Sequence, residues 1–484
     1  MPFQWIRPAT SRFDEADVQG VIEAGARLAA SIPWTVDAPD EFYDAVTTFG
    51  FVVSGKKVMP NRAVVDRTLA AAEELRRSAP APRDGESLSP ELRFSVSGQA
   101  LWCCDPETDK LRPATVEDQA AFSRVVNAFP RLGRTHPTFI PQDVPLQTAE
   151  FHSFVTILLN SDKPYRVSAY SPEVLPYFLE ALTIYHGSGQ QAKADLAGDL
   201  IPAKAWINTP CMLSREAIAA AMRLRELTGR PLSFGSMPVA GMATPVTPAG
   251  ALALITAEVI GANAFSLALD GRLAGWTASP CSVDMKTGTH AQWAPEVIRL
   301  TCAANHVADA LFGGSHQPPV PTYTSAKRPG EQSMMERAFG FGFGFLSGAR
   351  SFGSLATLAT ADVGSVVELM LDMELVSAVT HLAKGFEVDQ ESLAEDLIAD
   401  IAPQGARFLD TEHTARHFRS TQWIPELLDR RVPMAWVGDE RTMLDNARTK
   451  ALRLLKTAPN RCPLDEGKRG QLKRLLAEAD RELS

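Results

Sequence analysis

The sequence predicts an α/β protein built on a (β/α)8 TIM-type barrel, with a helical extension before it and helices after it. Three observations lead there. Between residues 115 and 385 short apolar strands alternate with amphipathic helices, the pattern of a mainly parallel sheet. A chain of 484 residues, 45% hydrophobic and 22% charged, has the composition and length for one large barrel with additions. An open doubly wound sheet is the competitor, but no Gly-x-Gly-x-x-Gly stands at a strand-to-helix turn; Gly340-Phe-Gly-Phe-Gly344 lies inside a helical pattern.

Residues 1–114 form the extension. Asp14 to Ile32 carries Val18, Val21, Ile22, Leu28 and Ala29 on one helical face, and Asn61 to Arg76 repeats the pattern after a short strand at Gly50 to Met59. Ser78-Ala-Pro-Ala-Pro-Arg-Asp-Gly85 is a linker by composition. Leu92 to Cys104 alternates as a hairpin does, and Asp105-Pro-Glu-Thr-Asp-Lys110 is its turn-rich exit.

The barrel, residues 115–385, has seven clear strand candidates: Thr135–Ile140, Tyr165–Tyr170, Lys204–Asn208, Pro231–Ser236, Leu273–Ser279, Pro319–Thr324 and Ala349–Gly353. Between them lie helices Ser214–Leu227, with Ser214 as N-cap and Gly229 as the stop, Thr247–Leu269, Pro295–Leu311 and Gln332–Leu346. Helix Ser365–Lys384 closes this region. Residues 386–484 add helices at Gln390–Ile401, Met443–Leu455 and Leu464–Leu483, expected to pack on the barrel.

Several function classes are excluded. A net charge of −9 without a Lys/Arg-rich run disfavours nucleic acid. The apolar run Ala249–Leu269 is long enough to span a bilayer, yet Glu258 and Asn263 interrupt it, so it reads as a buried helix and no membrane is expected. Six scattered cysteines without a Cys-x-x-Cys pair, and an N-terminus lacking a basic n-region before an apolar run, predict reduced thiols and a cytoplasmic location.

Barrel chemistry comes from the C-terminal strand ends and the loops that follow. There the sequence places Trp206 and Asn208, Phe234, then Asp284 and His290, then Tyr323 with Gln332 and Glu336 at i, i+4, and Phe352. Each alone has a plainer reading: Asp284 as a turn cap, His290 as a loop residue, Glu336 as a surface charge, Trp206 as core. Together, aromatic faces and carboxylates are what a quaternary ammonium needs. No metal site is expected: Cys103-Cys104 lacks a third strand-end ligand for zinc, and His413 with His417 lacks the His-Glu-x-x-His pattern.

A family resemblance sharpens this. Asp105-Pro-Glu-Thr-Asp-Lys-Leu-Arg112, Asn160-Ser-Asp-Lys163-Pro164, Asn208-Thr-Pro-Cys-Met-Leu-Ser214, Ala240-Gly-Met-Ala-Thr-Pro-Val-Thr-Pro-Ala-Gly250, Ser282-Val-Asp284-Met-Lys-Thr-Gly288, Pro295-Glu296, Phe408-Leu-Asp-Thr-Glu-His413-Thr-Ala-Arg-His-Phe418 and Trp423-Ile-Pro-Glu426 occur in one order. As a set over roughly residues 45 to 480 they resemble the trimethylamine:corrinoid methyltransferase family. The resemblance implies a cytoplasmic barrel enzyme that moves a methyl group from a methylamine to the Co(I) of a corrinoid on a separate, cognate protein. The chain has no pyrrolysine, as in the branch similar to glycine betaine methyltransferases.

The expected donor is therefore a small quaternary amine. Its displacement releases a neutral tertiary amine, so positioning and desolvation suffice, without zinc or a protein nucleophile. In this reading Asp284, Glu336 and His290 are the catalytic polar groups, while Trp206, Asn208, Phe234, Tyr323, Gln332 and Phe352 bind substrate. Proline betaine, carnitine or a sulfonium are alternative donors, and a non-catalytic onium or corrinoid-partner binder is the alternative class. A homo-oligomer is compatible with all of these.

Overall fold

The computed structural model describes residues 13–78, 92–166, 169, 171–198, 204–313, 320–346 and 349–484. The chain is a mixed α/β protein with short sheets that combine parallel and antiparallel pairs. Lys204–Ile207 runs parallel to Ser233–Ser236, with Trp206 opposite Gly235, and Ser236 bridges to Ala278. A second run joins Val320–Pro321 to Ser351–Leu355, then to Arg93–Val96, and continues through Phe94 to Leu132 and Thr135 to Tyr165. These links join segments successive along the chain, except that between Arg93–Val96 and Ser351–Leu355, which ties the first to the last. Among the described residues no pairing joins Tyr165 to Lys204–Ile207 or Ala278 to Val320–Pro321, and no closed sheet is formed.

Three local expectations are corrected. The stretch 92–104 is not a hairpin: Arg93–Val96 pairs with Ser351–Leu355, whereas Trp102–Cys104 pairs with Leu111–Pro113 and Val363–Gly364. Alternation marks a strand without naming its partner, and the parallel sheet draws a strand from before residue 115. Thr135–Ile140 and Leu273–Ser279 form only isolated bridges, because helix side chains take their backbone groups. Gln119 Oε1 accepts the N–H groups of Thr138 and Phe139, each at 2.9 Å. Asn263 Oδ1 accepts those of Ala274 and Gly275 at 2.9 Å, and its amide donates to the Gly275 carbonyl. The helix expected at Gln390–Ile401 divides into Gln390–Leu393 and Glu395–Gln404 at Ala394, whose φ is +50°. Residues 1–12, the linker beyond Ser78, Pro319 and positions 167, 168 and 170 of the second strand candidate lie outside the described residues.

The helical layer follows its sequence signals closely. Ser214 caps Arg215–Thr228, which stops at left-handed Gly229. The apolar run is helix Pro248–Asp270, with 72% of its most apolar window buried, as suits a helix surrounded by protein. Helix Glu15–Ala29 lies against it so closely that a Cβ on Gly25 would come within 2.6 Å of the Thr256 side chain. Phe265 on the long helix meets Trp34, Phe51, Phe42 and Phe234 with ring centroids 5.1, 5.2, 5.4 and 6.0 Å away. Each such buried ring contributes about 1.5–3 kcal/mol, so this cluster fastens the N-terminal elements to the sheet. At the other end of the chain, helix Glu466–Leu483 returns to the body, where Asp480 accepts from Thr148 at 2.5 Å and lies 3.0 Å from His152.

Candidate active site

The C-terminal strand ends are held by three buried charged groups on the helices behind them. Glu258, fully buried on helix Pro248–Asp270, accepts from Thr209 Oγ1 (2.9 Å), Ser236 Oγ (3.1 Å) and the Cys211 N–H (2.8 Å). One carboxylate thus ties the loop after Lys204–Ile207 to the end of Ser233–Ser236. Burial raises its pKa, against the pull of those hydrogen bonds.

Arg337, also fully buried, holds the other side. It donates to the carbonyls of Thr322 (2.7 Å), Ser354 (3.2 Å) and Thr357, binding the ends of Val320–Pro321 and Ser351–Leu355 together. Its Nε lies 2.9 Å from Glu368 and 3.1 Å from Asp372, at ion-pair distance but outside hydrogen-bond alignment. Glu368 accepts from Ser333 Oγ and Asp372 from the Ala356 N–H. Burial pushes both carboxyl pKa values up, and for Glu368 the neighbouring Asp372 adds to the rise.

Glu336 is the third. It is 6% exposed and accepts from Thr324 Oγ1 (2.5 Å), the Ser325 N–H (2.6 Å) and Gln332 Nε2 (2.8 Å). Among the described residues its hydrogen-bond donors are all neutral, unlike the acids that share Arg337. Gln332, its donor, also lines a cavity of about 480 Å³ together with Ala326, Lys327, Arg328, Asp109 and Leu111, and Glu336 lies behind that wall. This size suits a small-molecule site, and the lining carries both signs of charge.

The sequence-predicted residues fall into separate groups. Glu336 and Gln332 come together beside the half-buried Tyr323. Trp206 is half-buried against Gly235, where a Cβ would sit 3.0 Å from its ring. Asn208 is exposed, its backbone closed on Met212. Asp284 and His290 are exposed on one hairpin, Cys281–Asp284 with Thr289–Ala291, beside Val239–Ala240. There Asp284 caps its own turn, accepting from Lys286 N (2.7 Å) and Thr287 N (3.3 Å), and those backbone donors hold its carboxyl below the usual range.

Two expected aromatic walls are corrected. Phe234 is 1% exposed against Phe265, and Phe352 is fully buried between Phe341 (5.2 Å) and Phe94 (5.6 Å). Strand alternation turns Phe234 and Phe352 toward the helices. Glu258, Arg337, Glu368 and Asp372 were not anticipated as site-forming. Their signal was present: a lone acid in an apolar run, and two acids at i, i+4 in the apolar stretch Val366–Leu382. Among the described residues no group of three or more His, Cys, Asp or Glu is arranged to hold a metal ion.

The family model described as trimethylamine methyltransferase (MTTB) matches residues 6–484. The chain is 24% identical over 426 residues to glycine betaine methyltransferase of Desulfitobacterium hafniense, covering 83% of this chain and 84% of that protein. It is 22% identical over 352 residues to a trimethylamine methyltransferase MttB of the same species, covering 71% and 68%. With the MttB of Methanosarcina thermophila it shares 26% identity over 302 residues, covering 61% and 60%.

Proposed function

The chain belongs to the trimethylamine methyltransferase family and is a methyltransferase, and from that premise we propose that it moves a methyl group from a quaternary amine of the glycine betaine type to the Co(I) of a corrinoid held by a separate protein. The observation that carries the donor class is Glu336: a carboxylate 6% exposed, fixed by neutral donors, beside a cavity of about 480 Å³. A buried charge without a counter-charge is costly, and a permanent cation in the cavity offsets it. Lys327 and Arg328 on the same lining suit a donor that also bears a carboxylate.

In the transfer the nitrogen–methyl bond breaks with its electron pair left on nitrogen, giving a neutral tertiary amine, and the cobalt electron pair forms the new bond to carbon. No proton moves, so the residues orient and desolvate. Glu336 and Gln332 face the cation, Tyr323 and Trp206 offer ring faces, and Asp284 and His290 stand at the rim. The architecture we assign is the eight-stranded barrel of residues 115–385 completed by Arg93–Val96. Its support is the pairing of first and last parallel strands. The N-terminal helices and residues 386–484 are additions to it, in a cytoplasmic protein whose six cysteines are free.

The test follows Co(I) to methyl-Co(III) absorbance with corrinoid, glycine betaine, other quaternary amines, sulfoniums and trimethylamine. Turnover with a quaternary amine and none with trimethylamine is expected; turnover with trimethylamine alone overturns the donor assignment.

A further inference from the structure

The turn between strands Trp102–Cys104 and Leu111–Pro113 is held from far along the chain. Arg448, on helix Met443–Thr457, donates from Nη1 to the Pro106 carbonyl at 2.6 Å and from Nη2 to Asp109 Oδ2 at 2.7 Å, across 339 residues of sequence. On the same helix Ala447 and Ala451 are fully buried, so the backbone that carries Arg448 is fixed in the core. The two side chains are 22% and 24% exposed, and a pair so enclosed is screened less than one at the surface.

Asp109 is unusual in two ways. Its φ is +57°, in the left-handed region that Asp enters more readily than most residues but still at a cost. Its Oδ1 is enclosed and has no hydrogen-bond partner among the described residues, which also costs stability. Such features concentrate where a ligand is handled. Both fall here on a residue that lines the cavity of about 480 Å³, to which Lys327 and Arg328 come from a separate segment. Arg448 is not on that lining and stands behind Asp109. A cation in the cavity therefore lies nearer the carboxylate than the guanidinium, and the pair, although neutral as a whole, turns its negative end to the ligand.

We propose that Asp109 contacts the ammonium end of the methyl donor through Oδ1, and that Arg448 is the positioning residue that holds it there. The inference rests on the reading of the cavity as the quaternary amine site and adds to it a second carboxylate, on the lining itself. Asp109 and the two cations across the same cavity then align a zwitterion. The helices after residue 386 take part in the site by bracing its wall.

The test is calorimetric binding of glycine betaine and of tetramethylammonium, with methyl transfer measured on the same proteins. Asp109→Asn keeps the size and tolerates the same φ, and should raise the dissociation constant of both compounds by at least about tenfold, since both present the cation. Arg448→Met should raise KM more than it lowers kcat, and Arg448→Lys should restore part of the affinity. Placed on Asp109→Asn, Arg448→Met should add little, because the residue it positions has already lost its charge. Circular dichroism confirms that each variant is folded. Wild-type affinity for both compounds in Asp109→Asn overturns the inference, as does an Arg448→Met effect of undiminished size in the Asp109→Asn protein, or a wild type that binds neither compound. Binding needs no corrinoid, so a wild type that binds tetramethylammonium without methyl transfer separates failure of the transfer reading from failure of this contact.

Discussion

The Thr324 hydroxyl donates to Glu336 at 2.5 Å, across the loop that leads from the strand end to helix Glu331–Leu346. This bond, with those from the Ser325 N–H and Gln332, fixes a buried carboxylate where the strand opens into its loop while leaving its charge without a protein cation.

Removing that charge while keeping the shape isolates its role. Glu336→Gln should lower kcat/KM for a quaternary amine by about 10–100-fold, the scale of a lost charge-assisted interaction. Its melting temperature should move little. Equal kcat/KM for wild type and variant in the methyl-transfer assay would remove Glu336 from the site.

Trp206 and Phe352 should separate by readout. Trp206→Ala is expected to weaken binding of the ammonium donor by about 1–2 kcal/mol. Phe352→Ala, which empties the stack between Phe94 and Phe341, should instead cost about 3–5 kcal/mol of stability. Calorimetric binding and urea unfolding on both variants distinguish wall from core.

Glu258 gives a pH prediction. Its folded pKa is raised above its ordinary value of 4.5, so the folded state binds the extra proton. Its contribution is fullest below about pH 4.5 and declines as pH rises toward the folded pKa. Glu258→Gln should flatten that decline in unfolding curves. Glu258→Leu strands the Cys211 N–H and two hydroxyls, and should cost about 3 kcal/mol.

For Arg337, substitution alone leaves Glu368 and Asp372 buried together without their cation. Arg337→Met should therefore destabilise by about 3–5 kcal/mol. Adding Glu368→Gln and Asp372→Asn should recover part of that loss; no recovery would mean that the carbonyl contacts, rather than the ion pairs, carry the stability.

The helices were legible because their ends announce themselves. Ser214 and Gly229, or Pro248 and Gly271, are local signals that need no tertiary knowledge. Strands fared worse for a physical reason. A strand is defined by its partner, and at Thr138–Phe139 and Ala274–Gly275 the partner is an amide side chain from a helix. In the site, Glu336 and Gln332 were readable from helical spacing. Phe234 and Phe352 misled because residue type says nothing of which strand face is turned to the helices. Arg337 escaped notice since its carbonyl partners, at Thr322 and at Ser354 and Thr357, lie 15 to 20 residues away on either side of it.

The pairing of Arg93–Val96 with Ser351–Leu355 also bears on synthesis. Some 250 residues separate the partners, so during translation at 5–20 residues per second the earlier strand waits roughly 10–50 s for its neighbour. Throughout that wait Phe94 has neither Phe341 nor Phe352 to cover it. Nascent chains of this protein should therefore engage chaperones until late in elongation, and C-terminal truncations ending before residue 351 should aggregate rather than accumulate as a folded fragment.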